Sequence, residues 1–171
     1  IRENEWIKED DNTGWFNGYY DNHGKKVEYY KKDDVRMMLT SQVFAIMSGT
    51  ADEKQIKAIC NSADKYLYEK KAGGYRLNTD FKEEKFDFGR MFANALYKRG
   101  FIKEGYKVLK NLLDSAMDFE NSIMYPGIPE YFDNDGRGLY AYLTGAASWY
   151  MLTMITEVFG VRGELGNLVI K

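Results

Sequence analysis

The chain has 171 residues, one domain's worth on the prior of roughly 100–200 residues per domain. Its 24 Lys and Arg against 26 Asp and Glu leave a net charge of −2, so it lacks the positive field that binds phosphate backbones or anionic lipid, and neither nucleic acid nor a membrane is expected as a partner. Hydrophobic residues at 44% mark a folded globular domain, and the one cysteine, Cys60, excludes an internal disulfide and a multi-thiolate metal site, which fits a reducing, cytoplasmic compartment.

Residues 12–32 alternate aromatic and small side chains, Gly14-Trp15-Phe16-Asn17-Gly18-Tyr19-Tyr20, before an Asp21-Asn22-His23-Gly24 turn, and predict a loop or short hairpin. From Val35 the period changes: Val35, Met38, Leu39, Val43, Ile46 and Met47 predict a first helix closed by Gly49. Thr50 stands three residues before Glu53, a capping-box spacing, and Ile56, Ile59, Cys60, Ala63 and Leu67 predict the apolar face of a second helix ended by Gly73-Gly74. A third helix is predicted around Phe92 to Lys98. A fourth carries Ile102, Tyr106, Leu109, Leu113 and Met117 as its core stripe. The fifth covers 139–159 and stops at Gly160. Its stretch from Leu139 to Thr156 is uncharged and approaches the roughly 18 residues of a membrane span, but Thr144, Gly145, Ser148, Thr153 and Thr156 point instead to a buried helix. Leu168 to Lys171 read as an extended apolar segment, the start of a following β segment or domain over 166–171, with 1–165 as the preceding domain. A start at Ile1 and an end inside a strand suggest a piece of a longer protein, and no charged leader followed by an apolar run opens the chain.

Both prolines fall in Tyr125-Pro126-Gly127-Ile128-Pro129-Glu130-Tyr131-Phe132, which runs on through Asp133-Asn134-Asp135-Gly136-Arg137-Gly138. A proline-fixed loop feeding a helix start is a rigid way to hold polar groups at the mouth of a site. Aromatics reach 16% of the chain, more than a packed core needs, so some are expected to face a ligand.

Three stretches resemble one family: Gly73-Gly74-Tyr75-Arg76-Leu77-Asn78-Thr79-Asp80-Phe81; Tyr125 to Tyr131; and Gly136-Arg137-Gly138 leading to Tyr142-Leu143-Thr144-Gly145-Ala146-Ala147-Ser148-Trp149. Together they resemble the C-terminal half of the catalytic domain of glycoside hydrolase family 94, the inverting disaccharide and oligosaccharide phosphorylases. The likeness is nearest to the β-1,2-oligoglucan phosphorylases and the related domain of cyclic β-1,2-glucan synthases, and it extends from the Trp15–Tyr20 loop to Phe159-Gly160-Val161-Arg162-Gly163. It implies an all-α fold built on an (α/α)6 barrel. At about 11–12 residues per helix and 4–6 per loop, twelve helices need roughly 200 residues, so the chain is expected to supply only the C-terminal half, with short extended segments at its loops and end. The rest of the barrel would precede Ile1.

The resemblance also implies an activity: phosphorolysis of β-linked gluco-oligosaccharides to α-glucose 1-phosphate, with inorganic phosphate as co-substrate, no cofactor and no metal. It allows a homodimer. Two departures qualify it. The family's catalytic acid is an aspartate in a Gly-Asp-Trp-Asn-Asp-like motif that this sequence lacks, so the acid is expected upstream of Ile1 and the isolated chain is expected to be inactive. Around Phe86 to Tyr97 the family carries an additional stretch with a phosphate-contacting histidine. Either that loop has been lost, or residues are missing from this sequence between Arg90 and Phe92, and the second is the expectation.

Carried over residue by residue, Thr144 and Gly145 match the phosphate-contacting pair, and Glu130 the polar residue set against the sugar. Composition alone would make Thr144 a helix cap and Gly145 a point of packing clearance. Tyr131, Trp15 and Tyr19 are candidates to stack on glucose rings. Arg76, Asn78, Asp80 and Arg137 are candidates to line the acceptor side. His23, the only histidine, reads as a surface turn residue, Asp133–Gly136 as a turn without the spaced ligands of a calcium loop, and Cys60 as core. Two other functions stay open: an inverting β-glucan hydrolase on the same barrel, and a non-catalytic domain that binds glucan or a partner.

Overall fold

The computed structural model describes residues 1–70, 74–79, 90–133, 135–141 and 144–171. These divide into two compact units, the first from residues 1–70 and 74–79, the second from residue 90 onward.

The first unit opens with strands β1 (Trp6–Lys8) and β2 (Gly14–Phe16), which pair antiparallel with Ile7 opposite Trp15. A turn follows in which the Asp21 carboxylate accepts from the backbone of His23 and Lys25, and Tyr20 pairs with Lys26. His23 is exposed there, as the turn reading predicts. Strands β3 (Tyr29–Lys31) and β4 (Asp34–Arg36) form a second hairpin, then come helices α1 (Leu39–Met47) and α2 (Glu53–Tyr66), and the pair β5 (Tyr68–Glu69) with β6 (Gly74–Tyr75). Trp15, Phe16, Met37, Leu39, Ile46, Ile56, Ile59 and Leu67 form the core between β2 and the two helices.

In the second unit, α3 (Arg90–Lys98) packs on α4 (Ile102–Met117) and on α6 (Gly145–Thr153). Between α4 and α6 lie the short α5 (Phe119–Ser122) and the hairpin β7 (Tyr131–Phe132) with β8 (Gly138–Leu139). A π-helical turn, Met154–Val158, continues α6, and β9 (Val161–Glu164) pairs with β10 (Asn167–Ile170). Gly160 stops the helical run with a positive φ of 68°.

Several expectations are corrected. The fold is not purely helical: among the described residues there are five two-stranded antiparallel pairs, two before the first helix, two between helices and one after the last, and neither unit closes a ring of helices. The first helix begins at Leu39 rather than Val35, because β-branched Val35 pairs with Tyr30 and Met37 exchanges backbone and side-chain hydrogen bonds with Thr79. The cap of α2 is Asp52, not Thr50. Its carboxylate accepts from Gln55 N–H at 2.9 Å while the Gln55 side chain accepts from Asp52 N–H at 3.1 Å. That helix stops at Tyr66, since Tyr68-Glu69 go on into a strand.

On α4 the stripe Ile102, Tyr106, Leu113 and Met117 is exposed and only Leu109 of the five is buried. The packed face runs instead through Gly105, Val108, Leu109 and Ala116. A Cβ on Gly105 would lie 2.6 Å from the Tyr97 ring, so a small residue is what brings α4 against α3. The segment 139–159 is likewise not one buried helix. Gly138-Leu139 is a strand, α6 starts at Gly145, and Met151, Leu152, Ile155, Val158 and Phe159 are exposed. Among the described residues no helix is long and apolar enough to cross a membrane.

Candidate functional site

In the second unit the β7–β8 hairpin sets up the start of α6. Asp133 closes it as an Asx turn, its carboxylate accepting from Asp135 N–H and Arg137 N–H at 3.0 and 2.9 Å, with Gly136 at φ 87°. Glu130 donates its N–H to the Tyr140 carbonyl at 3.1 Å, which aims the side chain at the helix start. There Glu130 Oε2 accepts from Ala146 N–H at 2.9 Å. Thr144 is the N-cap of α6: its Oγ1 donates to the Ile128 carbonyl at 2.9 Å and accepts from Ala147 N–H at 3.1 Å. A Cβ on Gly145 would stand 3.3 Å from Glu130 Oε1, so the glycine lets the carboxylate approach. Thr144, Gly145 and Glu130, singled out separately in the sequence, thus meet at one point. That point is an anion held at a helix N-terminus, where unsatisfied N–H groups and the helix dipole favour negative charge. Tyr131 is half-buried in β7, and Arg137 is exposed in the turn.

In the first unit the candidates separate. Trp15 is 0% exposed, edge-on to Tyr30 and Tyr66 at centroid distances of 6.3 and 5.7 Å, and its indole N–H donates to the Arg36 carbonyl at 3.0 Å. Its ring is spent on the core and offers no face to a sugar. Tyr19 is 51% exposed. Arg76 pairs with Glu69, and Asn78 bridges to Met38. Asp80 and the Phe86–Gly89 stretch lie outside the described residues. Cys60 is half-buried on α2. Among the described residues no cluster of three His, Cys, Asp or Glu could hold a metal ion.

The sequence reading missed a buried, densely bonded side chain of this unit. Glu28 is 0% exposed, yet four donors point at it: Gly18 N–H at 3.0 Å and Ser41 Oγ at 2.6 Å on Oε1, Met38 N–H at 2.8 Å and Gln42 Nε2 at 3.2 Å on Oε2. Burial pushes its carboxyl up to about 7, against the downward pull of the Ser41, Met38 and Gly18 donors. Gln42 meanwhile bonds both the N–H and the carbonyl of Phe16, at 2.7 and 3.0 Å, as a strand neighbour would. Beside these residues opens a depression of about 470 Å³ lined by Phe16, Asn17, Ser41, Phe44, Met47 and Thr50.

The model of the glycosyl hydrolase 94 superfamily catalytic domain matches residues 1–106. The chain belongs to this family. Family 94 proteins are carbohydrate-active, typically phosphorylases, and membership gives the chain a carbohydrate function of glycoside phosphorylase or hydrolase type. The match takes in Tyr19, Glu28, Arg76 and Asn78, whereas Glu130, Thr144 and Gly145 lie beyond it. No curated protein matches the chain.

Proposed function

We propose that the chain is the C-terminal part of a larger helical catalytic domain that performs inverting phosphorolysis of β-linked gluco-oligosaccharides, β-1,2-linked ones first, in the cytoplasm. The family 94 match carries this reading. Phosphate is the nucleophile: its oxygen bonds to the anomeric carbon from the face opposite the leaving group, the glycosidic C–O bond breaks, and a carboxylic acid protonates the departing oxygen. Phosphate already carries its charge, so no second carboxylate is needed as a base, unlike the paired-carboxylate scheme of hydrolysis. The acid is assigned to a segment outside these 171 residues, and the chain alone should give no turnover.

Within the chain, phosphate is assigned to the start of α6 and the sugar hydroxyls to Glu130. The supporting observation is that this helix start already holds a carboxylate. Two anions at one amide repel, so phosphate would take the place of Glu130 at Ala146 and release it toward the sugar. In the whole enzyme, Thr144→Ala should raise KM for phosphate about tenfold and leave KM for glucan within about twofold. An equal rise in both would remove the phosphate role. One observation favours a second reading: the carboxylate occupying the helix start suits an enzyme that uses water, and there phosphate would leave the rate unchanged.

A further inference from the structure

We propose that Glu28 is a positioning residue for glucan binding, fixing the backbone that presents the Tyr19 ring. The inference rests on the reading of Tyr19 as a ring that stacks on glucose. Tyr19 stands between two clamps: Gly18 N–H is held by Glu28 Oε1 at 3.0 Å, and the Tyr19 carbonyl accepts from Val27 N–H at 3.0 Å. Glu28 is itself tied into the loop, because its own N–H donates to Asn17 Oδ1 at 3.2 Å, and Asn17 is anchored to the Glu5 carbonyl at 2.8 Å. Ser41 Oγ shares Oε1 with Gly18, and the other oxygen, Oε2, is fixed to the start of α1 by Met38 N–H and Gln42 Nε2.

The close approach explains the glycine at position 18. A Cβ there would stand 2.2 Å from Ser41 Oγ and 2.7 Å from Ser41 Cβ, so no larger residue lets the loop reach this carboxylate. A stacking ring contributes only when it is held at the sugar's face before the sugar arrives, since ordering it on binding costs affinity. Glu28 does that ordering in advance. It touches no ligand and acts through Gly18 and Tyr19.

The test is a double-mutant cycle read by calorimetric titration of β-1,2-linked glucotriose into the protein. Tyr19→Ala should weaken binding about tenfold, Glu28→Gln by about the same factor, and the double variant no more than Tyr19→Ala alone. In Glu28→Gln the new NH2 faces groups that are donors in the native lock, so the isostere should not rescue binding. Full additivity, or a Glu28→Gln affinity equal to the native one while Tyr19→Ala loses binding, would overturn the proposal. Native affinity in Tyr19→Ala would instead defeat the reading of Tyr19, and the proposal with it. If Glu28→Gln does not fold, Ser41→Ala removes one donor and keeps the carboxylate. It should weaken binding about threefold in the native background and not at all in Tyr19→Ala, whereas an equal loss in both backgrounds would overturn the proposal. Because the titration contains no phosphate, it stands apart from a failure of the phosphorolysis reading.

Discussion

Two helices of this chain begin against a carboxylate supplied from elsewhere in the sequence, and they do so in different ways. At α1 the carboxylate of Glu28 is fully buried and receives four donors, two from the helix start's own side chains, one from the Met38 backbone and one from Gly18. At α6 the carboxylate of Glu130 is half-buried and bonds Ala146 N–H. Burial is what differs most: Glu28 is closed off from solvent, and Glu130 stands where solvent reaches it. The buried carboxylate cannot leave without taking the acceptor from Gly18, Met38 and Ser41, whereas the proposed exchange with phosphate needs only the half-buried Glu130 to give way at the end of a helix.

Glu28→Ala breaks the comparison most severely. It takes the acceptor from Gly18 N–H, Met38 N–H and the Ser41 hydroxyl, while Gln42 Nε2 keeps the Phe16 and Met38 carbonyls, and it should lower the unfolding free energy by about 3–5 kcal/mol in chemical denaturation; a loss under about 1 kcal/mol would show that the lock holds nothing. Gly18→Ala attacks the same lock from the loop. The clash with Ser41 should cost about 2–3 kcal/mol, measured the same way.

The pH dependence follows from burial. The carboxyl of Glu28 is raised from 4.5 to about 7, so over that interval the folded state holds a proton that the unfolded state has released. Its contribution is therefore fully present below about 4.5 and is lost as pH rises through about 7. Glu5 and Glu9 act in the opposite sense: hydrogen bonds from Tyr20 and Asn17 lower the first, and those from Lys65 and Tyr66 lower the second despite its desolvation. Their contribution fades as pH falls below the ordinary carboxylate range. Denaturation midpoints for the native protein should decline from pH 5 to pH 8, and Glu28→Gln should flatten that decline. An equal slope in both would assign the pH dependence to other groups.

The mildest effect is expected at α6. Glu130→Gln should change the unfolding free energy by less than about 1 kcal/mol, while in the whole enzyme KM for phosphate falls about threefold and KM for glucan rises. A fall or rise of both together would mean that the carboxylate and phosphate do not exchange at this helix start.

The same contrast shows what was legible in the sequence. The helix start at Thr144-Gly145 carries local signals, a cap residue, a glycine and a proline-fixed loop before it, and these were readable, whereas the contact of Glu130 with Ala146 N–H was not. So were the turns at Asp21 and Asp133, where an Asx side chain bonds backbone within four residues. Glu28 gave no such signal. It stands between Val27 and Tyr29 with no periodicity of its own, and its partners Gly18, Met38, Ser41 and Gln42 are 10–14 positions away. The Trp15 ring was misjudged for a related reason, because aromatic content cannot tell a core ring from an exposed one, and only packing against Tyr30 and Tyr66 decides. On α4 the large apolar residues drew attention to one face while the small ones, Gly105 and Ala116, made the contact. Helix periodicity marks apolar faces, and close packing can choose a neighbouring face of smaller residues.

The central claim is that phosphate, rather than water, attacks the sugar. The direct measurement is product analysis of the whole protein acting on β-1,2-linked glucotriose with and without orthophosphate. The account predicts α-glucose 1-phosphate in amounts that follow the phosphate concentration and no release in its absence. Free glucose appearing at the same rate whether or not phosphate is present would contradict it.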